Sequence, residues 1–364
     1  MVCATFYPMN NPRAVQCTSL YKELSKRGYE VTLCLPMQRK IYCPGEVTEL
    51  LKEPGLQEKA FIKNYSKAKK IISGFVCYFI GQKSIYLDYP WMKSNINLKD
   101  YKAVIAIAAP FYPIALTARL LKKNHIRAIC DNGDPFYNPK QHSIFVKRLQ
   151  INSFKQFDYI NFPIEDARKY YIQYADPKKL TVIPQGRDFE DVTLKEYKKN
   201  DIPTCAYAGC FFEDIRNPEP FLNMLLTVDR PFKVIFYTET TGDVYEKILK
   251  DYQKKLEGKL EIRRFVPRKE CIYELSGMDF LINYQNMSSV QAPSKLIDYT
   301  LSKRPIYSVR QDKVDRNTFE EFLDGNYQKQ TIVDISQYDI RNVAEKYIDL
   351  IERDEMLLYG ESNR

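Results

Sequence analysis

Short apolar runs alternate with helical patterns along most of this chain, and this alternation restricts the fold more than any other feature. The runs predict strands at residues 3–7, 30–35, 103–108, 126–130, 159–162 and 180–183, and after Pro203 at 205–208, 233–237, 260–264, 280–283 and 306–309. Helical patterns lie between them, and a last one, at about residues 340–353, closes the chain. Alternating elements of this kind fold as parallel sheets with right-handed crossovers. The restart after Pro203, in a chain of 364 residues, predicts an α/β protein of two Rossmann-like, doubly wound domains facing across a cleft.

The amino-acid composition limits the classes of binding partner that this chain is expected to have. The net charge of +9 is compatible with binding to nucleic acid, to an anionic membrane surface or to an anionic small substrate. Lysine and arginine are spread along the chain without a nucleic-acid-binding signature, so no nucleic-acid partner is predicted. Two histidines and no Asp-x-Asp pair predict no metal site. Nine cysteines without a Cys-x-x-Cys pair, no leader and no long apolar run predict a reduced, cytoplasmic protein.

The helix predicted to begin at Pro293 carries the strongest binding signal. Proline in the first turn leaves the backbone N–H groups of Ser294, Lys295 and Leu296 unpaired at the positive end of the helix dipole. A helix start of this kind binds phosphate, and Lys295 adds a full charge. Asp298 is suited to accept a hydrogen bond from a sugar hydroxyl, although an i, i+3 salt bridge with Lys295 is the alternative. The segment points to a nucleotide diphosphate.

The loops after the other strands of the second half are the next candidates, because doubly wound sheets bind ligands at the carboxyl ends of their strands. A glycine there lets backbone approach a ligand, a guanidinium clamps a diphosphate, and a short apolar loop packs on a nucleobase. Long polar loops at strand ends also contact ligands. The candidates are Gly209, Arg216, Phe265, Val266, Pro267, Ser288 and Ser289. Ordinary β–α turns and solvated surface are the alternative for each loop taken alone.

The first half contributes three charged candidates. Asp131 and Asp134 flank an Asn-Gly pair directly after a predicted strand. A carboxylate there can anchor an acceptor or act as a general base, and turn chemistry is an equal alternative. Arg13, between the first strand and the first helix, is placed to bind a phosphate. The alternative is that it belongs to an ordinary connecting loop that ends at the N-terminus of that helix.

A basic cluster precedes an apolar run at residues 59–80. The cations are Lys59, Lys63, Lys67, Lys69 and Lys70. Such a cluster beside an exposed apolar face binds an anionic leaflet, at about 1 kcal/mol per cation. The alternative is a solvated helix followed by a buried segment.

Several of these segments, in this order, resemble the retaining nucleotide-sugar glycosyltransferases of the GT-B architecture (glycosyltransferase family 4-like, or group 1). The opening strand–helix–strand at residues 6–33 resembles theirs, and Thr-Val-Ile-Pro-Gln-Gly-Arg-Asp at 181–188 resembles their interdomain loop. The other matching segments are Tyr-Ala-Gly at 207–209 with Arg-Asn at 216–217, Phe-Val-Pro at 265–267, residues 275–281, and Pro-Ser-Lys-Leu-Ile-Asp-Tyr at 293–299. The likeness covers nearly the whole chain.

The resemblance implies an acceptor domain at residues 1–185 and a donor domain at residues 186–364 that includes the last helix. It implies that Lys295 and Arg216 stabilise the departing diphosphate and that Asp298 holds the ribose. Residues 265–267 would flank the nucleobase. Independently of the resemblance, the position of Asp134 after a predicted strand makes it a catalytic candidate, and Arg13 and Asp131 are the acceptor-side candidates.

The same resemblance implies transfer from a nucleotide-diphosphate sugar to a glycan or lipid-linked acceptor, with retention and without a metal or resident cofactor. Synthesis of a cell-surface polysaccharide at the inner membrane face is the expected setting. Val290 stands where the family often has a glutamate. This difference leaves open a non-catalytic partner subunit of the same fold, and a sugar-nucleotide epimerase is the other alternative.

Overall fold

The structure is a computed structural model, and it describes residues 1–9, 11–53, 67–133, 136–190, 192–214, 216–285 and 294–353, apart from the side chains of 67–73 and 294. The chain forms two compact units. Unit 1 consists of Met1–Asp188 together with Gln337–Arg364, and unit 2 is Phe189–Ser336.

Helices and strands alternate along the described chain. The helices are α1 Pro12–Lys26, α2 Pro44–Leu50, α3 Lys67–Ile80, α4 Ser84–Leu87, α5 Tyr89–Asn95, α6 Tyr112–Leu121, α7 Ile144–Phe154, α8 Glu165–Tyr171, α9 Glu219–Leu225, α10 Lys250–Lys255, α11 Arg268–Ser276, α12 Ser294–Leu301, α13 Arg316–Leu323 and α14 Ile340–Glu352. The strands are β1 Leu33–Leu35, β2 Lys40–Tyr42, β3 Ala103–Ala108, β4 Arg127–Asn132, β5 Tyr159–Phe162, β6 Leu180–Val182, β7 Thr204–Ala208, β8 Lys233–Tyr237, β9 Leu260–Arg263, β10 Phe280–Tyr284 and β11 Ile306–Val309. Single 3₁₀ turns lie at Pro36–Gln38, Leu98–Asp100, Pro177–Lys179 and Ser336–Tyr338, and a π-helical turn at Tyr245–Leu249 leads into α10.

Unit 1 is built on the parallel sheet β3-β4-β5-β6. Alternate residues of β3 pack into different cores, Val104 and Ala106 on one face and Ile105 and Ile107 on the other. Both faces are therefore covered, as parallel sheets require. The strand predicted at residues 3–7 is reduced to a bridge at Val2, which pairs with both β1 and β3.

The shortening of that first strand has a local cause. The backbone N–H of Tyr7 donates to the Thr18 hydroxyl of α1 at 3.1 Å instead of to a neighbouring strand. Pro8 has no N–H to donate. The chain then enters α1 through Asn11, whose side chain accepts from the N–H of Ala14 at 2.8 Å and caps the helix.

The last helix packs on unit 1, whereas the sequence had placed it with the second domain. Its apolar stripe, which includes Val343, Tyr347 and Leu350, is buried in the same core as Cys17 and Leu20 of α1. The spacing of the stripe shows that the helix must bury one face, but it carries no information about which unit receives that face.

Unit 2 is a five-stranded parallel sheet in the order β11-β10-β7-β8-β9. The chain runs from β7 outward to β8 and β9 and then returns to the other side of β7. This reversal creates a switch point between β7 and β10, where such sheets open a crevice for ligands. Phe221 and Phe319 lie in the core on one face, and Leu275 and Tyr299 in the core on the other.

The α/β class with two Rossmann-like, parallel-sheet units is confirmed. Helix α13, which buries Phe319 and Phe322 and is capped by Asp315, was not predicted from the sequence. Among the described helices, none has the length and apolar character needed to cross a membrane.

Candidate functional site

The candidate site lies at the switch point of unit 2. Strands β7 and β10 are adjacent and parallel, with Cys205 opposite Phe280. Helix α12 returns over this edge, and the Tyr299 hydroxyl of α12 accepts a hydrogen bond from the N–H of Ala208 at 2.8 Å. This contact holds α12 against the end of β7.

Gly209 opens that loop in a conformation that only glycine adopts readily. Its φ is +147°, and its N–H donates to the carbonyl oxygen of Tyr237 at 2.9 Å. A Cβ atom at this position would lie 1.9 Å from Nζ of Lys295. Gly209 is required both for the backbone conformation and for the space that the Lys295 side chain occupies.

Lys295 projects from the first turn of α12 onto the Tyr207 side chain. Its Nζ donates to the Tyr207 hydroxyl at 2.6 Å and lies 4.3 Å from the centre of that ring. Burial and the neighbouring Arg216 guanidinium hold the pKa of Lys295 well below its usual range. Tyr207 is fully buried, and burial raises the pKa of its phenol.

Arg216 reaches the same point from the other end of the loop. Its Nη1 donates to the carbonyl oxygen of Cys210 at 2.9 Å and lies 3.5 Å from the Tyr207 hydroxyl. The Tyr207 hydroxyl itself donates to the Cys210 carbonyl at 2.8 Å. We call Tyr207, Gly209, Arg216 and Lys295 together the Tyr207 site. The site brings the Lys295 amine and the Arg216 guanidinium together at the buried Tyr207 hydroxyl oxygen. This arrangement is suited to binding an anion.

Asp298 lies one turn further along α12 and pairs with Arg268. Nη2 and Nε of Arg268 lie 2.7 and 2.9 Å from Oδ1 of Asp298. Lys295 thus contacts Tyr207 near the end of β7, and Asp298 contacts Arg268 at the start of α11. Asp298 and Arg268 are both partly exposed, so their pair lies where a ligand hydroxyl can compete for the carboxylate.

The loop predicted to flank a base lies at the start of α11. Phe265 is 49% exposed, Val266 packs against the core that includes Leu275, and Pro267 occupies the N-cap position of α11. The exposed Phe265 ring is available for stacking. Ser288 and Ser289, like Asp134 and Val290, lie outside the described residues, and Ser294 is described only as the first residue of α12.

Two of the three charged candidates of unit 1, Arg13 and Asp131, pair with each other. Nη2 of Arg13 lies 2.9 Å from Oδ2 of Asp131, and Asp131 is only 5% exposed. Oδ1 of Asp131 accepts from Asn161 at 3.1 Å, and Asn161 also contacts the Tyr347 hydroxyl of α14 at 3.2 Å. The cavity beside them is about 20 Å³, room for a single water molecule. In unit 1 this pair ties α1, β4 and α14 together.

Two participants were missed by reasoning from the sequence. Tyr207 was predicted only as part of a strand-end motif, and Arg268 was not among the predicted site residues. A tyrosine two residues before a strand-end glycine, in an otherwise apolar strand, is the one available signal for Tyr207. Nothing local indicates that Arg268 reaches Asp298, because the two residues are 30 positions apart.

Comparison with known proteins identifies the fold. No protein-family model matches this chain, and no curated protein sequence matches it. Among solved structures, it is similar to the lipopolysaccharide outer core galactosyltransferase WaaB, with a TM-score of 0.55 and 11% identity over 96% of this chain and 98% of WaaB. It is also similar to HepE of Anabaena in complex with UDP, with a TM-score of 0.53 and 11% identity over 71% of this chain and 81% of HepE.

A third similar structure is TarM, with a TM-score of 0.52 and 14% identity over 74% of this chain. The match covers 58% of TarM, so this chain spans little more than half of that protein. At these identities the likenesses establish the fold. The chain has the two-unit α/β fold class of the GT-B architecture, as predicted from the sequence.

Proposed function

We propose that this chain is a glycosyltransferase that moves a sugar from a nucleotide-diphosphate sugar to a glycan or lipid-linked acceptor. The Tyr207 site is the observation that carries the proposal. It brings Lys295 and Arg216 together at the switch point of a doubly wound sheet, beside the N-terminus of α12. Helix starts and guanidinium groups both favour phosphate oxygens.

In the proposed reaction, the bond between the sugar carbon and the diphosphate oxygen breaks, and the acceptor oxygen forms a new bond to that carbon. The diphosphate leaves with the electron pair, and the acceptor hydroxyl gives its proton to the departing diphosphate oxygen. Lys295 and Arg216 lower the barrier by stabilising the charge that develops on the leaving oxygen. We propose that transfer needs no metal, since these cations supply the charge that a metal would otherwise supply. We also propose retention, because the sequence resembles the retaining enzymes of this architecture.

The remaining contacts follow the same proposal. Asp298 exchanges part of its pairing with Arg268 for the ribose hydroxyls, and Phe265 stacks on the base while Val266 and Pro267 flank it. Ser288, Ser289 and Ser294 remain donor-side proposals that rest on the sequence alone. Arg13, Asp131 and Asp134 remain acceptor-side proposals in unit 1.

A nucleotide screen tests the donor. Thermal unfolding is measured with UDP, GDP, dTDP and CMP and with the corresponding sugars, and transfer to added acceptor glycans is followed in parallel. One nucleoside diphosphate is expected to stabilise the protein by about 2.7 kcal/mol at a concentration of one hundred times its Kd. The matching nucleoside, which has no phosphate, serves as the control and is expected to give no stabilisation.

The outcomes of this screen separate the alternatives. Stabilisation together with transfer supports the proposal, and the anomeric proton coupling of the product then tests retention. Stabilisation without transfer to any acceptor supports a nucleotide-binding partner subunit instead. A protein that no nucleotide stabilises contradicts the proposed donor site.

Proton uptake on binding is a second expected result. The ionisable groups around Lys295 are Tyr207 of β7 and Cys210 and Arg216 of the following loop, and burial with Arg216 lowers the pKa of Lys295 in the free protein. A bound diphosphate raises that pKa, because its negative charge favours the ammonium form. Between the two pKa values binding takes up a proton, and affinity falls as the pH rises through the pKa of the complex.

Calorimetry in buffers of different ionisation enthalpy measures this uptake directly, at a pH where the free diphosphate is fully ionised. Lys295→Met is the matched variant, and it is expected to bind more weakly and without proton uptake. Equal uptake by the variant and the wild type would assign the proton to another group.

A further inference from the structure

Unit 1 exposes a patch of large apolar side chains at the end of α3 and the start of α7. We call this the aromatic patch, and its members are Phe75, Tyr78, Phe79, Ile80, Ile144 and Phe145. Phe75 is 65% exposed and Phe145 is 59% exposed. Adjoining exposed side chains of this size mark an interaction surface, whereas single exposed apolar residues are ordinary.

The patch is part of the folded unit. The N–H of Ser143, directly before α7, donates to the carbonyl oxygen of Tyr78 in α3 at 2.8 Å. The rings of Phe75 and Phe79 lie one turn apart with centres separated by 4.7 Å, and the Tyr78 ring lies 4.9 Å from that of Phe79. The two helices therefore hold the apolar side chains together.

The two segments that carry the patch contain charge of one sign only. Residues 67–87 and 136–157, which contain the patch, include no aspartate or glutamate. Their cations are Lys67, Lys69, Lys70, Lys83, Lys140, Lys147, Arg148 and Lys155. Lys83, Lys140 and Arg148 are exposed. A partner that complements this surface must combine negative charge with an apolar region that can receive the exposed side chains.

We propose that the aromatic patch binds the surface of an anionic lipid bilayer. Its aromatic and aliphatic side chains enter the boundary between headgroups and acyl chains, and the surrounding lysines and arginine contact anionic headgroups. Nucleic acid offers the charge without an apolar phase for Ile80 and Ile144. A second copy of this patch would bring cations against cations. The inference goes beyond sugar transfer and does not depend on it.

Vesicle co-sedimentation of the full chain tests the proposal. Binding is expected to phosphatidylcholine vesicles that contain phosphatidylglycerol, to weaken in high salt, and to be weak for pure phosphatidylcholine. The double variant Phe75→Ser with Phe145→Ser is expected to bind at least tenfold more weakly. Lys140→Gln and Arg148→Gln are each expected to weaken binding about fivefold, as expected for one cation near an anionic surface.

Matched controls in unit 2 keep the test specific. Ile332→Ser removes a side chain that is 85% exposed, and Lys254→Gln removes an exposed cation. Both controls are expected to bind vesicles like the wild type, and thermal melts verify that all variants are folded. A wild type that does not sediment with anionic vesicles at low salt overturns the proposal. Patch variants that bind like the controls also overturn it, as does a patch that supports only self-association or RNA binding.

Discussion

Lys295→Ala is expected to lower kcat/KM for sugar transfer by about a hundredfold or more, and Arg216→Ala by a similar factor. Removing one preorganised donor from a developing oxyanion costs about 2.7–4 kcal/mol of transition-state stabilisation in other enzymes. The two side chains approach the Tyr207 hydroxyl at 2.6 and 3.5 Å, so they act on one small volume. Steady-state kinetics with the donor identified by the nucleotide screen measures the effect.

Lys254→Ala is the control for these variants, because it removes an exposed lysine of unit 2 in α10. It is expected to retain full transfer. The double variant Lys295→Ala with Arg216→Ala is expected to lose less than the product of the single losses, since neighbouring groups act as a unit. Wild-type turnover in both single variants would falsify the proposed role of the Tyr207 site.

Gly209→Ala is expected to abolish most transfer although it leaves both Lys295 and Arg216 in the sequence. The added Cβ atom would lie 1.9 Å from Nζ and 2.3 Å from Cε of Lys295, so the amine must leave its position beside Tyr207. The φ of +147° adds backbone strain of about 1–3 kcal/mol for any residue with a side chain. Kinetics is therefore expected to show a loss close to that of Lys295→Ala, and thermal melts a loss of stability.

Gly242→Ala separates the two causes. Gly242 also has a positive φ, of +96°, but nothing lies within 4 Å of the Cβ position there. This variant is expected to lose stability through strain while keeping transfer. If Gly209→Ala transfers sugar at the wild-type rate, the displacement of Lys295 is not what matters, and the steric argument fails.

Most strands and helices of unit 2, although not α13, could be predicted because their signals are local. Apolar runs such as β8 and β11 have the bounds expected from the sequence, and α12 begins where Pro293-Ser294 indicated. The short strand pairing at the N-terminus was less predictable. There the Thr18 hydroxyl competes with the sheet for the N–H of Tyr7, and that contact spans 11 positions.

In the candidate site, too, contacts between residues far apart in the sequence could not be predicted. The residue types Gly209, Arg216, Lys295 and Asp298 follow from strand-end position and helix-start chemistry. Their partners do not follow, because Tyr207 and Lys295 lie 88 positions apart and Arg13 and Asp131 lie 118 apart. The structure therefore converts two separate charged candidates of unit 1 into one buried ion pair.

By itself, the sequence determined the alternation of strands and helices, the parallel sheets that follow from it, and the chemistry placed at the strand ends. Periodicity and helix-start signals act over a few residues, so they can be recognised without knowledge of the tertiary structure. Tertiary structure alone decided that α14 packs on unit 1, that Tyr207 receives Lys295, and that α3 and α7 together expose the aromatic patch. These outcomes depend on which surfaces, far apart in the sequence, pack against each other. A sequence pattern indicates that one face of a helix or strand must be buried or charged, but it does not identify the surface that this face contacts.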